Sequence, residues 1–405
     1  MSRRRVDPQP TQGNIANSGR RSNRTNRRAP VATITVEKAH GLGVLSHSDR
    51  RLLSLVVGVC AAAGILNNAQ GNPVVSFFIS AIALGAIARL LVRSVEAVSE
   101  RIGRGMNGLL QSILGNLPEI FVILFALNAG LYGIVKATIV GSIIANILLV
   151  MGIAFFVGGR KFGRQTFNEG SVRQLSMLLA LSVFVLSIPT LTASFNTPAV
   201  DFAHELTFII SLLLIFLFLV SLPETIRNAN HESPLSGTNE ALAAAREAEQ
   251  HGQWPIQIAV LMFLIAIAGS VFVSKWFVDQ LPTAMATVGI SEAFAGLIIV
   301  ALASNAAESF AGIQLASRDQ QSYALQIILQ SPVQIAMIVT PVIALAAPFV
   351  GATAFTLVLS PILLAVLFMA VFIAIVVVFD GSSTWFEGAA LITLYLGIAA
   401  AFWWG

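Results

Sequence analysis

The sequence predicts an all-α polytopic membrane protein of about eleven transmembrane helices, organised around an inverted repeat. Three observations lead there. Of 405 residues, 56% are hydrophobic and only 11% charged, whereas soluble domains carry about 25% charged residues. The apolar residues are gathered into long runs. A short acidic motif occurs twice, in two runs that cross in opposite directions. Such a composition excludes an ordinary soluble enzyme, and a single cysteine, Cys60, excludes an internal disulfide framework.

The apolar runs fall at about 52–66, 74–92, 107–128, 132–158, 173–193, 202–222, 255–275, 291–316, 322–346, 352–379 and 386–404. Each crossing needs roughly 20 mostly apolar residues. Helices are required because lipid offers backbone N–H and C=O groups no partner.

The charges are unevenly placed. Residues 1–51 carry 11 of the 24 Lys+Arg against three acids, leaving 13 basic and 17 acidic residues for the rest. The N-terminal stretch is therefore near +8 and the remainder near −4. With the N-terminus inside, Arg89, Arg93, Arg101, Arg104, Arg160, Lys161, Arg164, Arg173, Arg227, Arg246 and Arg318 join the tail, and only Lys136 and Lys275 fall outside. Putting 22 of 24 basic residues on one side satisfies the positive-inside rule and leaves the C-terminus outside. Residues 1–47 read as a disordered basic cytoplasmic tail without a signal-peptide shape. Its main role is that of a solvated arm that fixes topology. Anionic membrane lipid is the alternative contact, and no nucleic-acid partner is expected. Residues 48–72 hold the first helix and its loop, and 223–254 form a cytoplasmic linker that includes the helix-prone stretch 239–250.

Ionisable groups at membrane depth are costly and mark function. Most acids lie at segment ends, but Glu119 falls in the middle of segment three and Glu308 well inside segment eight. The surroundings match: Gly115-Asn116-Leu117-Pro118-Glu119 and Ser304-Asn305-Ala306-Ala307-Glu308. In each copy a serine follows the Glu by 23 residues, Ser142 and Ser331, with an amide close behind, Asn146 and Gln334. Asn and Glu three apart share a helix face. The copies run in opposite senses, the pattern of secondary transporters whose ion site lies at the midplane. Gly115, Pro118 and Pro332 fit helices broken or kinked there. Two carboxylates with Asn, Ser and Gln oxygens make a hard-oxygen site suited to Ca²⁺, which takes about 6–8 oxygens. Neither His nor Cys is near, so soft metals fit poorly. Gly130, Gly133, Gly141 and Gly152 read as close-packing positions.

These motifs resemble the Ca²⁺/H⁺ antiporter (CAX-type) family of the cation/Ca²⁺ exchanger superfamily. The likeness rests on GNLPE at 115–119, FAL at Phe125–Leu127, GSIIANILLVMG at Gly141–Gly152, SNAAE at 304–308 and QSPVQIA at 330–336. The C-terminal residues Asp380-Gly381, Trp385 to Gly388, Tyr395 and Phe402-Trp403 are similar too. Ser304, Gln330 and Ser309 depart from the family pattern of Gly, Gly and His. The resemblance implies a first helix followed by two inverted five-helix repeats, 73–222 and 255–405. It also implies that Glu119 and Glu308 carry Ca²⁺ and H⁺ in competition.

The remaining expectations follow. Glu119, Glu308, Asn116, Asn305, Ser142, Ser331, Asn146 and Gln334 form the metal site, with no cofactor and Ca²⁺ and H⁺ as transported ions. The setting is a prokaryotic plasma (inner) membrane. A doubly charged empty site is costly to move through a low-dielectric barrier, so the carrier switches only when loaded. The residues leave open a Na⁺/H⁺ or K⁺/H⁺ antiporter, a Na⁺/Ca²⁺ exchanger and, less favoured, a cation channel. No zinc, aspartate-dyad or nucleotide motif suggests an enzyme.

Overall fold

The computed structural model describes residues 46–69, 71–99, 114–231 and 254–404. The basic tail up to residue 45 and the linker stretch 239–250 lie outside the described residues. Within them the chain forms α1 (His47–Asn68), α2 (Pro73–Ser99), α3 (Leu117–Asn128), α4 (Tyr132–Phe162), α5 (Glu169–Ser194), α6 (Ala203–His231), α7 (Ile256–Val288), α8 (Glu292–Ala316), α9 (Gln321–Val350), α10 (Pro361–Val378) and α11 (Trp385–Phe402). Among the described residues, ten are long and apolar enough to cross a membrane, and α3 is apolar and shorter.

Local chemistry explains where the helices differ from the hydropathy reading. The first is expected as a short run over 52–66. It has 22 residues, because Ser46 and Asp49 form a capping box that starts it among polar residues. The seventh is expected to end at 275 but continues to Val288. Lys275 and Asp279, expected in an outside loop, pair one turn apart on its face at 2.7 Å. The tenth is expected from 352, but α10 begins only after Ser360, whose hydroxyl caps Leu363 N–H ahead of Pro361. The non-helical residues before it are satisfied from other helices: Leu357 N–H donates to Thr207 Oγ1 and Leu359 N–H to Thr190 Oγ1.

The packing repeats itself. α2 lies along α7, with Phe77 stacked on Phe277 at 4.8 Å. α3 packs on α7, and α8 packs on α2. The second half of α4 packs on α11, as the end of α9 packs on α6. α5 contacts α9 as α10 contacts α4, and α1 lies against α2 and α7. Exchanging α2–α6 for α7–α11 thus returns each of these pairings among the two sets.

Contacts between helix ends join only residues that the charge count puts on one side. At one end Asn128 Nδ2 donates to the Val350 carbonyl, Gln280 meets Asn67, and Ser291 N–H donates to the Trp403 carbonyl. At the other end Arg164 pairs with Asp380 at 3.1 Å, and Gln165 Nε2 donates to Asp319 at 2.7 Å. A two-residue ladder there, β1 (Gln165–Thr166) with β2 (Ser382–Ser383), ties the α4–α5 loop to the α10–α11 loop. The Ser382 hydroxyl, with Arg164 adding its charge, holds the Asp380 carboxyl below the usual range. Asp49 is buried at the same end, accepting from Trp254 Nε1 at 2.9 Å and lying 3.6 Å from Arg93. Nothing in the residues around Asp49 marks a contact 205 positions away.

Candidate cation site

The eight expected residues converge from four helices. Asn116 and Glu119 come from the start of α3, Ser142 and Asn146 from α4, Asn305 and Glu308 from α8, and Ser331 and Gln334 from α9. Seven are buried, and Glu308 is half-buried.

Glu119, expected at mid-helix, lies instead in the first turn of α3, which begins at Leu117 after a turn at Gly115-Asn116. Pro118 suits this place because a proline lacks the N–H that the first turn leaves unused. The carboxyl therefore meets the N–H end of a helix, where the dipole is positive. Pro332 does not break its helix: α9 runs through it, and a wider π turn over Ile335–Val339 follows. Similar turns occupy Ala145–Val150 in α4 and Ala295–Val300 in α8. π turns displace the backbone ladder and recur at functional sites. Hydropathy carries no trace of them.

One network links the set. The Ser142 hydroxyl donates to Glu119 Oε1. Asn305 Nδ2 points to Ser142 Oγ at 3.0 Å, to the Ala301 carbonyl at 3.0 Å and to Glu119 Oε1 at 3.4 Å. Asn146 Nδ2 donates to the Ser142 carbonyl at 3.0 Å and to Ser331 Oγ at 3.3 Å. The Ser331 hydroxyl faces the Glu308 carboxyl, and Asn116 Nδ2 donates to Gln334 Oε1 at 3.0 Å. The bonds cross the repeats: Asn305 serves Glu119, Asn146 serves Ser331, and Asn116 serves Gln334. Two buried oxygens stay unpartnered, Glu119 Oε2 and Glu308 Oε2. Orphaned acceptors at this depth are costly and call for a proton or a cation. Among the described residues no cluster of three or more His, Cys, Asp or Glu exists, so a cation here draws on two carboxylates and neutral oxygens.

Close backbone approach makes the convergence possible. A Cβ on Gly141 would collide with the Leu297 backbone, and one on Gly296 with the Ile134 carbonyl and Ala137, so α4 and α8 touch main chain to main chain. Gly152 packs likewise against Gly388 and Ile392. Gly130 serves the turn rather than the packing. Its φ of 75° bends the chain between α3 and α4, with nothing near its missing side chain. Gly133 leaves room for the Glu292 carboxylate. The departures from the family pattern are accommodated. Ser304 is buried with its hydroxyl on the Val300 and Ala301 carbonyls, and the Ser309 hydroxyl donates to the Asn305 carbonyl.

The sodium/calcium exchanger protein family model matches residues 72–223 and 258–404. The chain belongs to that family. A relative named Ca(2+)/H(+) antiporter ChaA, from Bacillus subtilis, is 32% identical over 87% of this chain and 99% of its own length. A Ca(2+)/H(+) antiporter of Aphanothece halophytica is 28% identical over 81% of this chain and 90% of its own. The solved structure of native YfkE superposes with a TM-score of 0.72 at 30% identity, covering 87% of this chain and 99% of that one. This exchanger is an integral membrane protein of the all-α polytopic class.

Proposed function

We propose that this exchanger moves Ca²⁺ against H⁺ by alternating access, with Glu119 and Glu308 binding cation and proton in competition. The observation that carries the reading is the pair of unpartnered buried oxygens, Glu119 Oε2 and Glu308 Oε2, on carboxyls from the two repeats. Similarity to relatives named Ca²⁺/H⁺ antiporters supports the ion pair.

Two ionised carboxylates balance one divalent cation, and protons on the same oxygens also bring the site near neutrality. The empty site carries two uncompensated charges in a region of low dielectric, where the cost of moving them is high. Translocation therefore follows loading, and one ion leaves before the other enters. Ca²⁺ needs about 6–8 oxygens. The carboxylates, the Ser142 and Ser331 hydroxyls and the amide oxygens of Asn116, Asn305, Asn146 and Gln334 supply enough of them. To present those oxygens, Ser142 and Asn305 turn their donors away from Glu119. Proton and cation thus demand opposite settings of the same side chains. The repeats 73–222 and 255–405 are the two moving parts, the N-terminus lies in the cytoplasm, and the membrane is the bacterial plasma membrane.

The test is Ca²⁺ uptake into inverted vesicles under an imposed pH gradient, with wild type beside Glu119→Gln and Glu308→Gln. Uptake driven by the gradient and lost in both variants is expected. Unimpaired uptake in both would refute the assignment. Exchange of Na⁺ or K⁺ instead of Ca²⁺ would keep the site and change its ion.

A further inference from the structure

An apolar cavity lies away from the carboxylates, at the helix ends that the charge count puts outside. It measures about 200 Å³ and is walled by Phe77 of α2, Ala284 and Met285 of α7, Phe294 and Ile299 of α8, and Trp403 after α11. Every lining residue is apolar or aromatic. Phe294 stacks edge-on against Trp403 at 4.8 Å, and Ser291 fastens this corner by bonding the Phe402 and Trp403 carbonyls. The rim faces outward: Phe78 is 49% exposed and Val288 44%. On membrane-spanning helices that exposure is to lipid.

The cavity's apolar lining offers water no hydrogen-bond partner. A void of about 150 Å³ lined by Leu, Ile and Phe stays dry and takes benzene or xenon. The bilayer surrounding the rim supplies apolar guests at high local concentration. We propose that this cavity binds part of an acyl chain from an outer-leaflet phospholipid, entering between Phe78 and Val288. The occupant contacts both the α2–α7 pair and α8, the helix that carries Asn305 and Glu308. The site is separate from the cation network and shares no residue with it.

The full-length protein is reconstituted with a phospholipid bearing a diazirine on its acyl chain, irradiated, and the adducts mapped by mass spectrometry. The expected result is labelling of residues that lipid cannot touch from outside, Phe294 (9% exposed) and Ala284 (2%). It should exceed the labelling of freely lipid-facing Phe184 and Phe216 several-fold. Ala284→Phe, which fills the void, should remove the labelling at Phe294 and leave that at Phe184. Adducts confined to Phe184, Phe216 and similar outward residues in the wild type would overturn the proposal, whatever the variant's folding. So would labelling of Phe294 by a diazirine fatty acid but not by the phospholipid.

Discussion

The two acidic repeat motifs share a spacing but not a setting. Glu119 opens a helix, is buried, and has one carboxyl oxygen held by Ser142 and Asn305. Glu308 sits within a continuous helix, eight residues after the end of a π turn, and is half-buried, with Ser331 facing it. Asn305 reaches across to Glu119, whereas Asn116 donates to Gln334. A symmetric sequence has produced an asymmetric site. Under the proposed alternating access, the two halves would exchange these roles when access switches sides.

Loss of either carboxylate should be equally severe, since both are needed for charge balance. Glu119→Gln and Glu308→Gln should each reduce proton-driven Ca²⁺ uptake to the level of empty vesicles. A large difference between them would mean that one Glu alone carries the ion. The neighbours should separate the halves. Asn305→Ala removes an amide oxygen offered to the cation beside Glu119 and should raise the Ca²⁺ concentration for half-maximal uptake roughly tenfold. Asn116→Ala removes an amide–amide bond and should raise it only about two- to fivefold. Equal effects would mean that the asymmetry is not kept in the working protein.

Packing separates the halves too. The position before the site serine is Gly141 in one repeat and Gln330 in the other. Gly141→Ala must push against the Leu297 backbone. It should lower thermal stability, at about 1–3 kcal/mol for overpacking. Gln330→Ala has no such backbone in its way and should leave the melting temperature nearly unchanged. The smallest effect belongs to the loops. The Asp380 carboxyl titrates below its ordinary value because Ser382 and Arg164 favour its charged form. Its contribution to stability is therefore present at neutral pH and fades only as pH falls through the ordinary carboxylate range, near 3.8, toward its lowered folded value. Asp380→Asn should alter the melting temperature slightly at pH 7, and by progressively less as pH falls below about 3.8. An effect that grew with acidity would contradict the assigned contact.

Much of this was legible from residue order. Glu119 and Glu308 stood out because membrane depth makes a carboxylate expensive, and the matched 23-residue spacing to Ser142 and Ser331 tied each to its partner helix. The helix irregularities were partly legible: Gly115 and Pro118 mark the start of α3, and Pro332 lies three residues before a π turn in α9, which runs on through it. The π turns, the Asp49–Trp254 bond and the crossing of Asn305 to Glu119 were not legible. Each depends on segments far apart in the chain, and no local period encodes them.

The sequence by itself determined the apolar segments and the twin acidic motif, and it proposed eight polar residues that the fold then brings together. Lipid permits only helices, basic loops stay on one side, and buried charge is rarely kept without use. Tertiary structure alone decided which donor serves which carboxylate, which two oxygens are left over, and where an apolar void opens. Those outcomes depend on how closely α4 and α8 approach at Gly141 and Gly296 and on how the two repeats settle against each other. Both are properties of packed surfaces, which residue order constrains without specifying.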